Sequence, residues 1–279
     1  MEQIIGLDEL ILSALAEDIG TGDITTLATV AETSVSEAKL IAKESGVLCG
    51  LDVFSRVYRL YDSRVRVESK LRDGDLLSEG AVIAEVAGLS RSLLTAERVA
   101  LNLLQHLSGV ATQTRRFADA VKAYETRIVD TRKTTPGLRV LEKYAVRVGG
   151  GSNHRFSLQD GVLIKDNHIR AAGGIAIAVA AARRIAPFTL KVEVECESLE
   201  QVREALESGA DIIMLDNMSV EEMRSAVELI GGRAITEASG NIGDKRADQL
   251  AEIAAAGVDV ISVGALTHSV RALDISLKF

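Results

Sequence analysis

The chain has 279 residues and a formal net charge of −8; 47% of its side chains are apolar, yet it holds only five Phe, four Tyr and no Trp. Such a core must be aliphatic, which suits helices laid on buried parallel strands, and the length allows one large domain or two modest ones. Scarce aromatics and net negative charge argue against a stacking platform for single-stranded nucleic acid or a binder of phosphate backbones.

The first twenty residues, MEQIIGLDELILSALAEDIG, place acids where an export signal needs a basic segment. No apolar run reaches spanning length without a charge or a break. Cys49 and Cys196 are the only cysteines, too few for a disulfide framework and compatible with a reducing compartment. The expectation is a soluble, cytoplasmic protein that binds neither membrane nor nucleic acid.

Residues 1–110 carry RVRVESKL and AVIAEVAG, which alternate with period two and are separated by turn signals at Asp73-Gly74 and Glu79-Gly80. This predicts a smaller N-terminal α+β domain with its own antiparallel sheet. A helix follows from about Ser92 to Tyr124, with a break expected near Ser108-Gly109, bridging to a second domain over residues 111–279. The extreme C-terminus is left free to return to the first domain.

From Ile128 the pattern changes. Short apolar or β-branched runs at Ile128–Val129, Val162–Ile164, Leu190–Val194, Ile212–Leu215, Ala234–Thr236 and Val258–Val263 read as strands. Helical stretches at Ile175–Ile185, Leu199–Ser208, Glu221–Ile230 and Arg246–Ala256 separate the later ones. Strand and helix in alternation imply a parallel sheet with helical crossovers. Six such units fall short of eight, so the fold class is α/β, an open, incomplete α/β barrel.

Parallel strands deliver their C-terminal ends to one face, where a barrel places its active site. The residues arriving there include Arg132 and Lys133, Lys165, Glu195, Asp216, Ser239 and Gly240, and Gly264 and Ala265. Residues 127–170 hold nine Lys or Arg against four acids, a net +5 in a chain whose remainder carries −13. An isolated pair of cations at a strand end is often only solvated, but Arg132, Lys133, His154, Arg155 and Lys165 repeat the feature. Arg forks suit carboxylates, and Lys acts as a point charge on phosphate. An anion-binding pocket is the reading. Glu195 and Asp216, on adjacent strands, suit Mg²⁺, which takes one or two protein carboxylates beside substrate oxygens; a plain ion pair would use the same residues. Ser239-Gly240 and Gly264-Ala265 occupy the loops where barrels bind phosphate through backbone amides, although each alone could be an ordinary turn. His106 reads as a packed histidine, and neither cysteine lies near a candidate base.

Taken together, EDIGTGDITT, LTAERVALNLLQHLSG, DTRKTTPGLRVLEKYAVRVGGGSNHR, DGVLIKDNHI, VEVECESLE, IIMLDNMS, TEASGNI and VGALTHSVRALDISL resemble quinolinate phosphoribosyltransferase along nearly the whole chain. The resemblance implies Mg²⁺-dependent transfer of phosphoribosyl from phosphoribosyl pyrophosphate to quinolinate with loss of CO₂. It implies that Arg132, His154 and Arg155, with Lys165, hold the two quinolinate carboxylates. Lys133, Lys165, Glu195 and Asp216 would address phosphoribosyl pyrophosphate, the last two through the metal. Ser239, Gly240, Gly264, Ala265 and His268 would surround a phosphate. It further implies a homodimer in which Arg98 reaches the partner's site, a residue that the physics of an apolar helix face would not select. Other readings remain: a molybdate-transport-associated paralogue of the same fold, a Schiff-base aldolase using Lys165, and an anion-binding sensor.

Overall fold

The structure is a computed structural model that describes residues 4–240, 242–243 and 249–279. Its elements run α1 (Leu7–Ile19), α2 (Ile24–Thr29), β1 (Val35–Ala42), β2 (Gly46–Val47), α3 (Leu51–Tyr61), β3 (Arg66–Ser69), β4 (Leu76–Leu77), β5 (Val82–Leu89) and α4 (Ser90–Val121). Then follow β6 (Arg127–Val129), α5 (Arg139–Val148), β7 (Val162–Ile164), α6 (Asp166–Ala172), α7 (Ile175–Ile185), β8 (Val192–Cys196), α8 (Leu199–Glu207) and β9 (Ile212–Asp216). The last are α9 (Val220–Ile230), β10 (Ile235–Ser239), α10 (Leu250–Ala255), β11 (Val260–Ser262), α11 (Ala265–His268) and β12 (Ile275–Lys278).

The chain divides into two compact units. The first comprises Met1–Gln113, Pro136–Gly149 and Val270–Phe279. Its main sheet is antiparallel, in the order β12-β1-β5-β3. The alternation read in RVRVESKL and AVIAEVAG reappears as the β3–β5 pairing, in which Val67 faces Val86. α4 runs through Ser108 and Gly109 without interruption, against the expected break. Gly109 serves a different purpose there: a Cβ would collide with the carbonyl oxygen of Arg271 and lie 3.1 Å from its carbon. The glycine lets a returning backbone touch the helix. His106 is a packed residue, its Nε2 2.8 Å from the buried Glu142 Oε1.

The second unit comprises Thr114–Thr135 and Gly150–Ser269. Six parallel strands stand in the order β6-β11-β10-β9-β8-β7. The terminal strands β6 and β7 do not pair among the described residues; instead Val129 bridges Ser152. The barrel is therefore open at that seam. Strand cores such as Val192, Val194, Ile213, Leu215 and Ile261 are fully buried, the near-continuous apolar pattern of strands covered on both faces. Helix starts are fixed by short polar side chains: Ser198 Oγ accepts from Gln201 N–H, and Ser219 with Glu222 forms a reciprocal capping box on α9. β10 continues to Ser239, so Glu237 belongs to the strand and not to the loop expected from the sequence. α10 begins at Leu250; its expected start at Arg246 lies outside the described residues, as does Asn241.

Candidate active site

Lys165, Glu195, Asp216, Ser239, Gly240, Gly264 and Ala265 stand at or just beyond the C-terminal ends of barrel strands and Arg132 and Lys133 follow β6, whereas His154 and Arg155 lie between α5 and β7 and His268 ends α11. Beyond β6 the chain is tied down by Asp130, a fully buried carboxylate. Its Oδ1 accepts the His154 backbone N–H at 2.9 Å and its Oδ2 accepts Asn153 Nδ2 at 2.5 Å. Those bonds stitch the segment bearing His154 and Arg155 to the strand that delivers Arg132 and Lys133. The Lys133 carbonyl accepts Thr267 Oγ1 at 2.8 Å, which fixes the same loop to α11.

Two adjoining cavities open here. One, of about 300 Å³, is lined by Arg132, Lys133, His154, Arg155, Lys165 and Ser239 among others. The second, of about 760 Å³, shares Lys133, Lys165 and Ser239 and adds Glu195, Asp216, Gly240, Gly264, Ala265 and His268. All the residues singled out from the sequence line one or both, with one exception. Arg98 is exposed on α4 in the first unit and lines neither.

The electrostatics differ between the two cavities. In the smaller, burial and the neighbouring charge of Arg132 push the Arg155 guanidinium below its usual pKa. Two cations held together under partial burial repel, and a bound dianion relieves both. Arg155 is aimed by a bond from its Nη1 to the Gly161 carbonyl at 2.9 Å. In the larger cavity Lys165 Nζ lies 2.8 Å from Glu195 Oε2 across the β7–β8 boundary. On the next strand Asp216 Oδ2 accepts Asn217 Nδ2 at 2.7 Å. Two carboxylates on neighbouring strand ends, all-oxygen donors beside a polar cavity, match a hard divalent cation that retains water. Neither soft ligands nor thiolates are at hand: Cys196 is buried and burial pushes its thiol up to about 12.

Below the smaller cavity lies a cluster that the sequence reading did not single out. His154 Nε2 stands 3.3 Å from Glu193 Oε2 and 3.5 Å from Glu237 Oε2. Both carboxylates are 3% exposed, and their Oε1 atoms have no hydrogen-bond partner among the described residues. The three groups lie within 4.8 Å of one another, close enough to enclose a cation. The imidazole argues against that use. Its Nδ1 accepts the Arg155 backbone N–H at 2.8 Å, so a neutral ring carries its proton on Nε2 and points it at the carboxylates, leaving no lone pair there for a metal. Burial opposes a charge on His154, while Glu193 and Glu237 draw a proton toward it; burial likewise raises the Glu193 carboxyl. The cluster holds its protons tightly and braces the segment that carries Arg155. Both ring nitrogens thus meet protein groups, and His154 lines the smaller cavity beside Arg155, whose backbone it braces. Glu193 was visible as the partner of Glu195 in KVEVECE, two residues apart and on one face, but alternation does not say which of the two faces a barrel interior.

Strands β6, β7, β9, β10 and β11 also frame an opening at their N-terminal ends, a 360 Å³ cavity lined by Val129, Val162, Ile212, Ile235 and Val260. Arg127, Arg155, Asp160, Lys191, Glu193 and Glu237 line it as well, so charged groups reach both mouths, and Arg155 borders this cavity and the smaller one alike.

Comparison with known proteins places this geometry among relatives. The family model for the quinolinate phosphoribosyl transferase C-terminal domain matches residues 110–278, and that for the N-terminal domain matches residues 23–108. A probable nicotinate-nucleotide pyrophosphorylase (carboxylating) of Bacillus subtilis is 47% identical over 271 residues, covering 97% of this chain and 92% of its own. A protein of the same description from Synechocystis is 46% identical, covering 98% and 92%. The crystal structure of NadC from Streptococcus pyogenes superposes with a TM-score of 0.93 at 48% identity, over 98% of this chain and 95% of that one. The nicotinate-nucleotide pyrophosphorylase of Francisella tularensis gives 0.92 at 44%, over 98% and 95%.

Proposed function

The chain belongs to the quinolinate phosphoribosyltransferase family, and we propose from that premise how its residues divide the work. The reaction is transfer of phosphoribosyl from phosphoribosyl pyrophosphate to quinolinate with decarboxylation, a step of NAD biosynthesis. The observation that carries the assignment of residues is the charge sorting of the two adjoining cavities: Arg132 and Arg155 in one, the carboxylates of Glu195 and Asp216 in the other, with Lys133 and Lys165 lining both.

Quinolinate, a flat dianion, takes the smaller cavity. Arg132 and Arg155 fork onto its carboxylates, Lys165 adds a point charge, and His154 keeps Arg155 aimed. Nicotinate lacks one carboxylate and would leave a half-buried guanidinium unmatched, which disfavours it. Phosphoribosyl pyrophosphate takes the larger cavity. Backbone amides around Ser239-Gly240 and Gly264-Ala265, with His268, receive its phosphate, and Lys133 and Lys165 face the pyrophosphate. Glu195 and Asp216 would hold Mg²⁺, which when bound neutralises charge gathering on the leaving pyrophosphate. As the bond from the ribose anomeric carbon to pyrophosphate breaks, its electron pair leaves with the pyrophosphate and the pyridine nitrogen supplies the new bond. The pyridinium so formed accepts the pair released when the adjacent carboxylate departs as CO₂, and a proton replaces it. None of these steps calls for a nucleophilic side chain. We further propose a cytoplasmic homodimer in which Arg98, exposed on α4, reaches the site of the second copy. Among the described residues no helix is long and apolar enough to cross a membrane.

The test is direct. Purified protein is given quinolinate, phosphoribosyl pyrophosphate and Mg²⁺, and nicotinate mononucleotide is sought by mass. Product from quinolinate, none from nicotinate, and loss of turnover with a chelator that excess Mg²⁺ restores are the expected results. Equal turnover of nicotinate would remove the carboxylate roles of Arg132 and Arg155, and turnover unaffected by the chelator would remove the metal role of Glu195 and Asp216.

A further inference from the structure

We propose that Asn217 is a positioning residue for Asp216, fixing that carboxylate at the mouth of the larger cavity. Among the described residues Asn217 is the only one other than glycine with a positive φ, 56°. Side chains other than glycine are held in that left-handed region at a cost, and asparagine tolerates it better than most. Burial does not hold it there, because Asn217 is exposed. Two hydrogen bonds do. Its N–H donates to the Ser239 carbonyl at 3.1 Å, joining the end of β9 to the end of β10. Its Nδ2 donates to Asp216 Oδ2 at 2.7 Å.

Gly240 completes the arrangement. A Cβ at that position would stand 2.6 Å from Asn217 Cγ and 2.7 Å from its backbone nitrogen, so the glycine is the space into which the asparagine folds back. One carboxylate oxygen of Asp216 is thereby committed to the amide. An unusual backbone conformation, an exposed side chain and a bond to a candidate ligand coincide at one residue that lines the cavity. The conformation carries the amide onto Asp216 while the side chain stays exposed.

The inference rests on the reading of Asp216 as a metal ligand, so the experiment carries two variants. Asn217→Gly keeps the left-handed backbone, which glycine adopts freely, and removes only the amide. Asp216→Asn removes the carboxylate itself. Binding of Mn²⁺ to the protein, followed without turnover by loss of the free-ion electron paramagnetic resonance signal, is the first readout. Thermal midpoint, the dissociation constant for quinolinate, and kcat and KM for phosphoribosyl pyrophosphate are the others. Expected for Asn217→Gly are an unchanged or raised thermal midpoint, unchanged quinolinate affinity, and Mn²⁺ binding weakened on the order of 10- to 100-fold, with KM for phosphoribosyl pyrophosphate rising. A residue that merely closed the strand end would lower the thermal midpoint and leave ion binding to the folded protein intact, which would overturn the proposal. If Asp216→Asn weakens Mn²⁺ and Asn217→Gly does not, the proposal fails alone. If neither variant changes Mn²⁺ binding, the metal reading of Asp216 fails and takes the proposal with it.

Discussion

Arg155 is where the geometry makes its most exacting demand. Its guanidinium is braced by the Gly161 carbonyl and crowded by Arg132, while its backbone is held to His154. Arg155→Lys keeps the charge and loses the fork. Loss of one charge-assisted bond costs about 2 kcal/mol, on the order of 30-fold. The expected outcome is that rise in KM for quinolinate, with KM for phosphoribosyl pyrophosphate changed far less, read from steady-state kinetics in each substrate. The cations of this site were legible in the sequence because Lys and Arg at successive strand ends have few structural uses. Their supports were not. Asp130, Glu193 and Glu237 are acids within strands or beside them, and only the three-dimensional fold buries them; Asn217 betrays itself by a backbone angle that no composition records.

At the scale of elements, helices with a clear period were readable closely: Ile175–Ile185 is α7, and Leu199–Ser208 and Glu221–Ile230 miss the bounds of α8 and α9 by one residue each. Strand ends were less so, since β10 runs on through Glu237 to Ser239 where side-chain polarity suggested a loop. The junction of α3 and α4 offers a test with a sign. Asp62 closes α3 and accepts bonds from Arg64 Nε at 2.9 Å and from Ser92 Oγ, in the first turn of α4, at 2.6 Å. The Arg64 guanidinium, then the Ser92 hydroxyl, hold its carboxyl well below the usual carboxylate range. A depressed folded-state pKa means that the stabilisation is present above the unfolded value of 3.8 and is lost as pH falls through the folded one. Arg64 is 71% exposed, so solvent screens most of the attraction. Asp62→Asn is expected to lower stability by about 1 kcal/mol at pH 7 and by less with each step below pH 4. Urea denaturation at neutral and acid pH measures it.

The whole molecule is organised by a chain that leaves its first unit, returns to it briefly over Pro136–Gly149, completes the parallel unit and comes back at Val270. The return is bonded at several points: Leu273 N–H donates to the Gln105 carbonyl at 3.0 Å, Gln105 Nε2 to the Ile275 carbonyl at 2.6 Å, and Lys43 N–H to the Asp274 carbonyl at 2.8 Å. Gly109 sits at the closest approach. In a helix interior alanine gains about 1 kcal/mol over glycine, whereas overpacking against a backbone costs about 1–3 kcal/mol; with a carbonyl in the way the second effect wins. Gly109→Ala is therefore expected to lower the thermal midpoint by a few degrees, roughly 2–4 °C for each kcal/mol lost, as calorimetry would record. The pairing of β12 with β1 carries a further meaning for how the protein is made. On the ribosome β1 emerges early, and its outer partner is synthesised only after the entire parallel unit. At about 5–20 residues per second the first sheet waits on the order of 10 s or more with one edge bare. An open strand edge invites pairing with a neighbouring nascent chain. Crowded synthesis on a polysome is therefore the stage at which this sheet's edge is most open to such pairing.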